Sequence, residues 1–165
     1  MKNYINIDKT DYINAINLFL GFYKPLKGFV CHEDYKSILE KKKFKRINFT
    51  IPINIFCSQK QYNKFDVGEK INLKFKNEIV GFLILQSKFL VKKNFFLNSI
   101  FETTNKKHIG VNKFSKKIDQ NPYALGGNVI VFPAKVKKFF KNSNFQLMNK
   151  LTRIKNKVSA FSTRN

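Results

Sequence analysis

"KINLKFKNEIVGFLILQSKFLV", residues 70–91, carries the pattern that decides the fold. Ile71, Leu73 and Phe75 alternate with polar neighbours, as along a half-buried strand whose side chains point in turn to opposite faces. Asn77-Glu78 interrupts the alternation as a turn, and "IVGFLILQSKFLV" follows as one long strand or two. Just upstream, Asp66-Val67-Gly68 is another turn. Short turns between such runs hold an antiparallel register, so the spacing predicts a β-meander.

On the carboxyl side, "ALGGNVIVF" (124–132) reads as a Gly-Gly break and a final strand to Phe132, with Pro133 closing the domain. On the amino side, "RINFTIPINIFCS" (46–58) alternates from Ile47 to Phe56 as a half-buried strand. Pro52 inside that run points to a sheet edge or a bulge. "DYINAINLFLGF" (11–22) sets Ile13, Ile16, Leu18, Phe19 and Leu20 at near-helical spacing, with Asp11 as N-cap and Gly21 just past the end. "YKPLKGF" (23–29) turns on Pro25 and Gly28, and "HEDYKSILEKKKF" (32–44) predicts a second helix burying Tyr35, Ile38 and Leu39. "SIFETTNKKHIGV" (99–111) reads as an ordered loop around one helical turn. From Ala134 the text turns helical and basic, as a linker and the first helix of something else. The expected class is α+β, mainly β: two short helices and a small, mostly antiparallel barrel over residues 1–133, with an appendage over 134–165.

Hydrophobic residues make up 43% of the 165, enough for a real core, and no tryptophan stands beside the 19 phenylalanines. A chain of this size buries roughly 70% of its unfolded surface. The net charge of +22 invites a polyanion-binding reading. Against it, only Arg46, Arg153 and Arg164 among the 32 basic residues are arginine, the residue whose fork reads guanine. Lysine, asparagine, isoleucine and phenylalanine share A/T-rich codons, so compositional drift accounts for their abundance. Only "KKKFKR" (41–46) and "KVKKFFK" (135–141) are dense, and solvated charge is the favoured reading over nucleic-acid binding. Cys31 and Cys57 are too few for a disulfide framework or a CxxC metal site, so no metal is expected. "MKNYINIDKT" lacks the apolar run of a signal peptide, and the longest apolar stretch is broken by Gln86, Ser87 and Lys88. A reduced, cytoplasmic protein without a membrane span is the expectation.

Motifs for chemistry are sparse before residue 158. There is no GxSxG, HExxH or GxxxxGK, and Gly126-Gly127 reads as a bulge or a close backbone approach rather than a nucleotide loop. His108, on a polar loop beside Thr103, Thr104 and Gly110, is a structural hydrogen-bonder in preference to a ligand-orienting group. The chain ends on "KNKVSAFSTRN" (155–165), an apolar run delivering Ser162, Thr163, Arg164 and Asn165, the order of a buried strand presenting polar groups at its carboxyl end.

Taken in order, "FLGFYKPLKGFVCHEDYKSIL", "FTIPINIFCS", "VGEKINLKF", "IFETTNKKHIGV", "LGG" and "VSAFSTRN" resemble the ATP sulfurylase (sulfate adenylyltransferase) family over about residues 15–165. The family's "G-x-F-x-PL-x-GF" and "DY" are similar to Gly21-Phe22, Pro25-Leu26, Gly28-Phe29 and Asp34-Tyr35. Its "P-I-P-I"-like strand resembles Ile51-Pro52-Ile53, and its "TTD-x-x-HPGV" loop resembles Thr103, Thr104, His108, Gly110 and Val111. Its catalytic opening "VVAFQTRNP" resembles Val158 to Asn165.

The resemblance implies a PUA-like pseudo-barrel followed by the first strand of an α/β nucleotidyltransferase domain. In the complete enzyme that domain joins ATP, taken with Mg as a substrate complex, to sulfate, giving adenylyl sulfate and pyrophosphate. Attack on the α-phosphorus is in line, so catalysis is positioning and charge neutralisation. By position, Arg164 would hold the oxyanion through its planar fork and Asn165 would donate near the nucleotide. Ser162 stands where the family has Gln, which removes a long amide donor. Asn105 and Ile109 replace the family's Asp and Pro in the histidine loop. The family's later HxxH is not among these residues, so the chain alone is expected to be inactive and to bind no ATP. A truncated reading frame, a chain cut at that point, or a split gene completed in trans would each account for it. The alternatives are a stand-alone basic RNA-binding module, or a silent partner subunit docking on a complete sulfurylase and forming an oligomer with it.

Overall fold

The computed structural model describes residues 3–139. In chain order the strands are β1 (Tyr4–Asn6), β2 (Gly28–Phe29), β3 (Lys43–Phe44), β4 (Ile47–Asn48), β5 (Ile55–Cys57), β6 (Lys70–Phe75), β7 (Glu78–Leu90) and β8 (Tyr123–Val131). The helices are α1 (Lys9–Leu20), α2 (His32–Lys41), α3 (Gln59–Lys64), α4 (Lys93–Phe101), α5 (Ile109–Gln120) and α6 (Pro133–Phe139). The chain divides into two compact units, Met1–Val131 and Phe132–Asn165, and the described part of the second is Phe132 with α6.

The meander expected around residues 70–91 is present. β6, β7 and β8 are successive antiparallel neighbours, and β7 is one strand of 13 residues rather than two. Its turn sits one residue earlier than expected, on Lys76 and Asn77, whose φ of 45° and 63° give the doubly left-handed geometry of a tight hairpin. The sheet has six strands in the order β1-β6-β7-β8-β2, with β5 also on β8. β1 joins β6 in parallel, so the sheet is mixed and mostly antiparallel. Inward alternation buries Ile71, Leu73, Leu83, Leu85, Val129 and Val131. The strand path runs from β1 to β2 without pairing the two, so among the described residues the mostly antiparallel sheet fits the expected pseudo-barrel without closing.

Five expectations are corrected. The run Ile47–Phe56 is two short strands: β4 pairs with β3, and β5 pairs with β8. Between them Ile53 and Asn54 tie to β2's end instead, through Val30 N–H to Ile53 O at 2.9 Å and Asn54 Nδ2 to Val30 O at 2.6 Å. α1 starts on Asp8, whose carboxylate accepts from Asp11 N–H at 2.7 Å, so Asp8 is the N-cap and Asp11 lies inside the helix. Its buried face is Tyr12, Ala15, Ile16 and Leu18, whereas Phe19 is exposed and Ile13 and Leu20 are half-buried. The segment read as a loop around one helical turn holds the end of α4 and the start of α5, which pack through Phe96, Phe101 and Phe114. Gly126-Gly127 lies inside β8 and does not break it.

The glycines serve close approach, as the sequence suggested. A Cβ on Gly126 would lie 2.3 Å from Val30 O, and one on Gly127 2.1 Å from Ile84 O. Opposite them β7 carries an extra residue, Gln86, between Leu85↔Gly127 and Ser87↔Gly126. This bulge increases the local twist and lets β8 run between β7 and the short β2 and β5. The lysine run 41–46 forms the end of α2 and the β3–β4 ribbon, with Phe44 turned inward and Lys41, Lys43, Lys45 and Arg46 exposed.

Candidate functional site

The sequence singled out Ser162, Arg164, Asn165 and His108. The first three lie outside the described residues. His108 is the N-cap of α5: its Nδ1 accepts from Val111 N–H at 3.3 Å. The preceding loop is held by its own side chains. Thr103 Oγ1 accepts from Asn105 N–H at 3.1 Å, and Asn105 Oδ1 accepts from Lys107 N–H at 2.9 Å. An aspartate at 105 would accept the same bond, so the change from the family's Asp costs the loop nothing. Gly110 is required because a Cβ there would meet the Phe101 ring at 2.5 Å, and that ring stands 5.1 Å from His108's.

Ile109 occupies the first helical position and is 86% exposed, where the family has Pro. Proline suits that position because its fixed φ is pre-organised and its missing N–H is an orphan anyway. His108 already has the extended ψ of 123° that a following proline needs. Ile109→Pro is therefore expected to stabilise the domain by about 0.5 kcal/mol, read as a rise of roughly 1–2 °C in Tm by calorimetry.

The "PLKGF" stretch forms one wall of a cavity of about 190 Å³. Pro25 to Cys31, Asp34 and Gly127 line it, so residues from three resemblance motifs converge there, joined by Lys45, Gln86 and Asn128. The cavity has no activated nucleophile. Burial, helped by Asp34, pushes the Cys31 thiol up, and its Sγ lies 3.9 Å from Gln86 Oε1. Cys57 is pushed up to about 12, burial outweighing the opposing pull of Lys88. Both thiols therefore stay protonated and unreactive near neutrality. Among the described residues no group of three His, Cys, Asp or Glu side chains is placed to hold a metal ion.

A three-membered ionic cluster links the start of α1 to α5. Lys117 Nζ lies 3.0 Å from Asp8 Oδ2 and 3.0 Å from Asp11 Oδ1, and 5.5 Å from the centre of the Phe56 ring. Asp11 is 5% exposed, and its burial outweighs Lys117 and raises its pKa. Burial also raises Asp8, but the Asp11 N–H and Lys117 overcome it and the net shift is downward. Burial pulls Lys117 down, yet the two carboxylates outweigh it and hold the ammonium above its ordinary 10.5. Sequence reading missed this cluster, because nothing local ties Lys117 to residues more than 100 positions away. Lys117→Met would leave Asp11 buried without its cation and is expected to cost about 3 kcal/mol, measured by urea denaturation at neutral pH. A raised folded-state lysine stabilises below the unfolded pKa and loses that contribution as pH climbs through its folded value. The gap between wild type and Lys117→Met should therefore narrow above about pH 10.5.

A family model described as "PUA-like domain" matches residues 2–134. The chain belongs to that family. It is also 28% identical, over 98% of its length, to a sulfate adenylyltransferase of Carboxydothermus hydrogenoformans, and covers 43% of that protein. A sulfate adenylyltransferase of Ignicoccus hospitalis is 30% identical, with 98% of this chain and 42% of the relative covered. The chain thus spans about two fifths of the length of the curated relatives it matches. Among solved structures, a hexameric APS kinase from Thiobacillus denitrificans matches with a TM-score of 0.53 at 14% identity, over 85% of this PUA-like chain and 26% of the other. At that identity the likeness shows the fold. The resemblance read from the ordered motifs agrees with the sulfate adenylyltransferase relatives. No helix among the described residues is long and apolar enough to cross a membrane.

Proposed function

We propose that this chain is the N-terminal part of a sulfate adenylyltransferase-like protein that converts ATP and sulfate to adenylyl sulfate and pyrophosphate in the cytoplasm. Residues 1–133 form its PUA-like domain, and 134–165 supply the linker helix and first strand of the catalytic domain. The observation that carries the reading is the alignment of nearly the whole chain with sulfate adenylyltransferases at 28% and 30% identity.

The described residues of the PUA-like domain offer no activated thiol and no metal-holding cluster, and its role is to scaffold. Arg164 binds the sulfate oxyanion, Asn165 donates near the nucleotide, and Ser162 replaces the family's longer amide. ATP enters with Mg as substrate, and the chain alone neither holds it nor turns over. The rest of the site comes from a catalytic portion in cis or from a second chain, within an oligomer.

The gene provides a direct check. In-frame codons for a His-x-x-His soon after residue 165, or a separate reading frame encoding it in the same genome, are expected. A genome with neither would overturn the reading.

A further inference from the structure

The cavity of about 190 Å³ walled by the "PLKGF" stretch holds charges of both signs that do not pair with each other. Asp34, on the first turn of α2, is half-buried and lines it together with Lys27 and Lys45. Among the described residues none of the three is in an ion pair, and the Asp34 carboxylate accepts no hydrogen bond. The Lys45 ammonium rests 5.5 Å from the centre of the Phe44 ring, which lines the same space. After burial itself, the Asp34 charge is what lifts the Cys31 thiol, so the carboxylate stands beside that residue at the cavity. Gln86 is the extra residue of the β7 bulge, and bulges re-aim side chains. Here the bulge brings a primary amide to the cavity. Its Oε1 takes the Cys31 thiol at 3.9 Å, which leaves Nε2 to donate. Asn128 on β8 supplies a second amide. A half-buried carboxylate is unfavourable without a cation or donor, and the chain supplies neither here.

We propose that this cavity binds the zwitterion of an apolar α-amino acid, its ammonium on Asp34 and its carboxylate between Lys27 and Lys45. Opposite charges held apart in one small space fix that class. A plain anion would face the Asp34 carboxylate, and a plain amine would face the two lysines, whereas a molecule carrying both signs answers each. The Gln86 and Asn128 amides donate to the ligand's carboxylate, in charge-assisted bonds roughly twice as strong as neutral ones. Pro25, Leu26 and Phe44 give the wall an apolar part for the side chain. The volume lies below the roughly 300–1,000 Å³ of drug-sized sites, which favours a molecule of amino-acid size over a nucleotide. This site is independent of the adenylyltransferase reading, since every group it uses lies in the PUA-like domain.

The test is titration of the isotope-labelled chain of 165 residues with L-leucine at neutral pH, followed by NMR. Saturable shifts are expected at Asp34, Gln86 and Asn128. Isoamylamine, which is leucine without its carboxylate, and isocaproate, which is leucine without its amine, should each bind at least tenfold more weakly. Asp34→Asn keeps the shape and removes the charge. It should weaken leucine at least tenfold while leaving the weak binding of isocaproate no worse, a split that general damage to the fold would not produce. A Lys27→Met/Lys45→Met variant alters two exposed side chains and should show the reverse split, with leucine weakened and isoamylamine unaffected. Absence of saturable shifts at those residues overturns the proposal. So does leucine binding no tighter than either singly charged analogue, or binding indifferent to both variants.

Discussion

Gly127→Ala is expected to remove about 4 kcal/mol or more of stability, enough to leave much of the population unfolded. Gly127 has φ +149°, a region closed to side chains, and a Cβ there would lie 2.1 Å from Ile84 O and 2.9 Å from Gln86 N. Those atoms are backbone of the neighbouring strand at its bulge, so no rotamer change relieves the clash. β8 cannot move away either, because β2 and β5 pair along its other edge. Gly68 supplies the control. It too has positive φ, +95°, but nothing lies within 4 Å of a Cβ there. Gly68→Ala should cost only the backbone strain, about 1 kcal/mol. Parallel calorimetry of the two variants separates crowding from conformation. Equal, small losses would show that β7 and β8 are not locked at this bulge.

Arg164→Ala is expected to lower kcat/KM for sulfate at least 100-fold in a complete enzyme carrying this chain, about 3 kcal/mol of transition-state stabilisation. The expectation rests on the position of Arg164 in "FSTRN" and on the need of an oxyanion for a planar, permanently charged fork. Arg164→Lys keeps the charge and loses the bidentate geometry, so it should recover only part of the rate. Ser162→Gln restores the family's amide donor and should lower the KM for sulfate. Steady-state pyrophosphate release over a range of sulfate concentrations reads all three. An Arg164→Ala enzyme with unchanged kcat/KM would remove Arg164 from the oxyanion site.

The meander was legible because Ile71 and Leu73 alternate with polar neighbours in step with their burial and a short turn, read one residue late, leads into a long apolar strand. α2 was legible too, since Tyr35, Ile38 and Leu39 repeat at helical spacing and all are buried. What escaped reading depends on partners distant in sequence. α4 and α5 owe their packing to Phe96, Phe101 and Phe114 meeting across the loop, and α3 is a six-residue helix with no buried residue to set a period. Its start was nonetheless marked by the capping box of Ser58 and Gln61. The alternation at Ile47–Phe56 misled because Asn54 is buried by its bond to Val30 O, a tertiary contact that breaks the strand in two. For the site, the sequence marked His108 as a loop hydrogen-bonder, and its Nδ1 caps α5. The Asp8–Lys117–Asp11 cluster and the meeting of Lys27, Asp34 and Lys45 at one cavity had no local signature.

The most direct measurement uses a chimera in which residues 1–165 replace the matching portion of the Carboxydothermus hydrogenoformans sulfate adenylyltransferase. Pyrophosphate release is followed with ATP, Mg and sulfate, beside the isolated chain under the same conditions. Sulfate-dependent release is expected from the chimera and none from the chain alone. A folded chimera without activity, or turnover by the isolated chain, would contradict it.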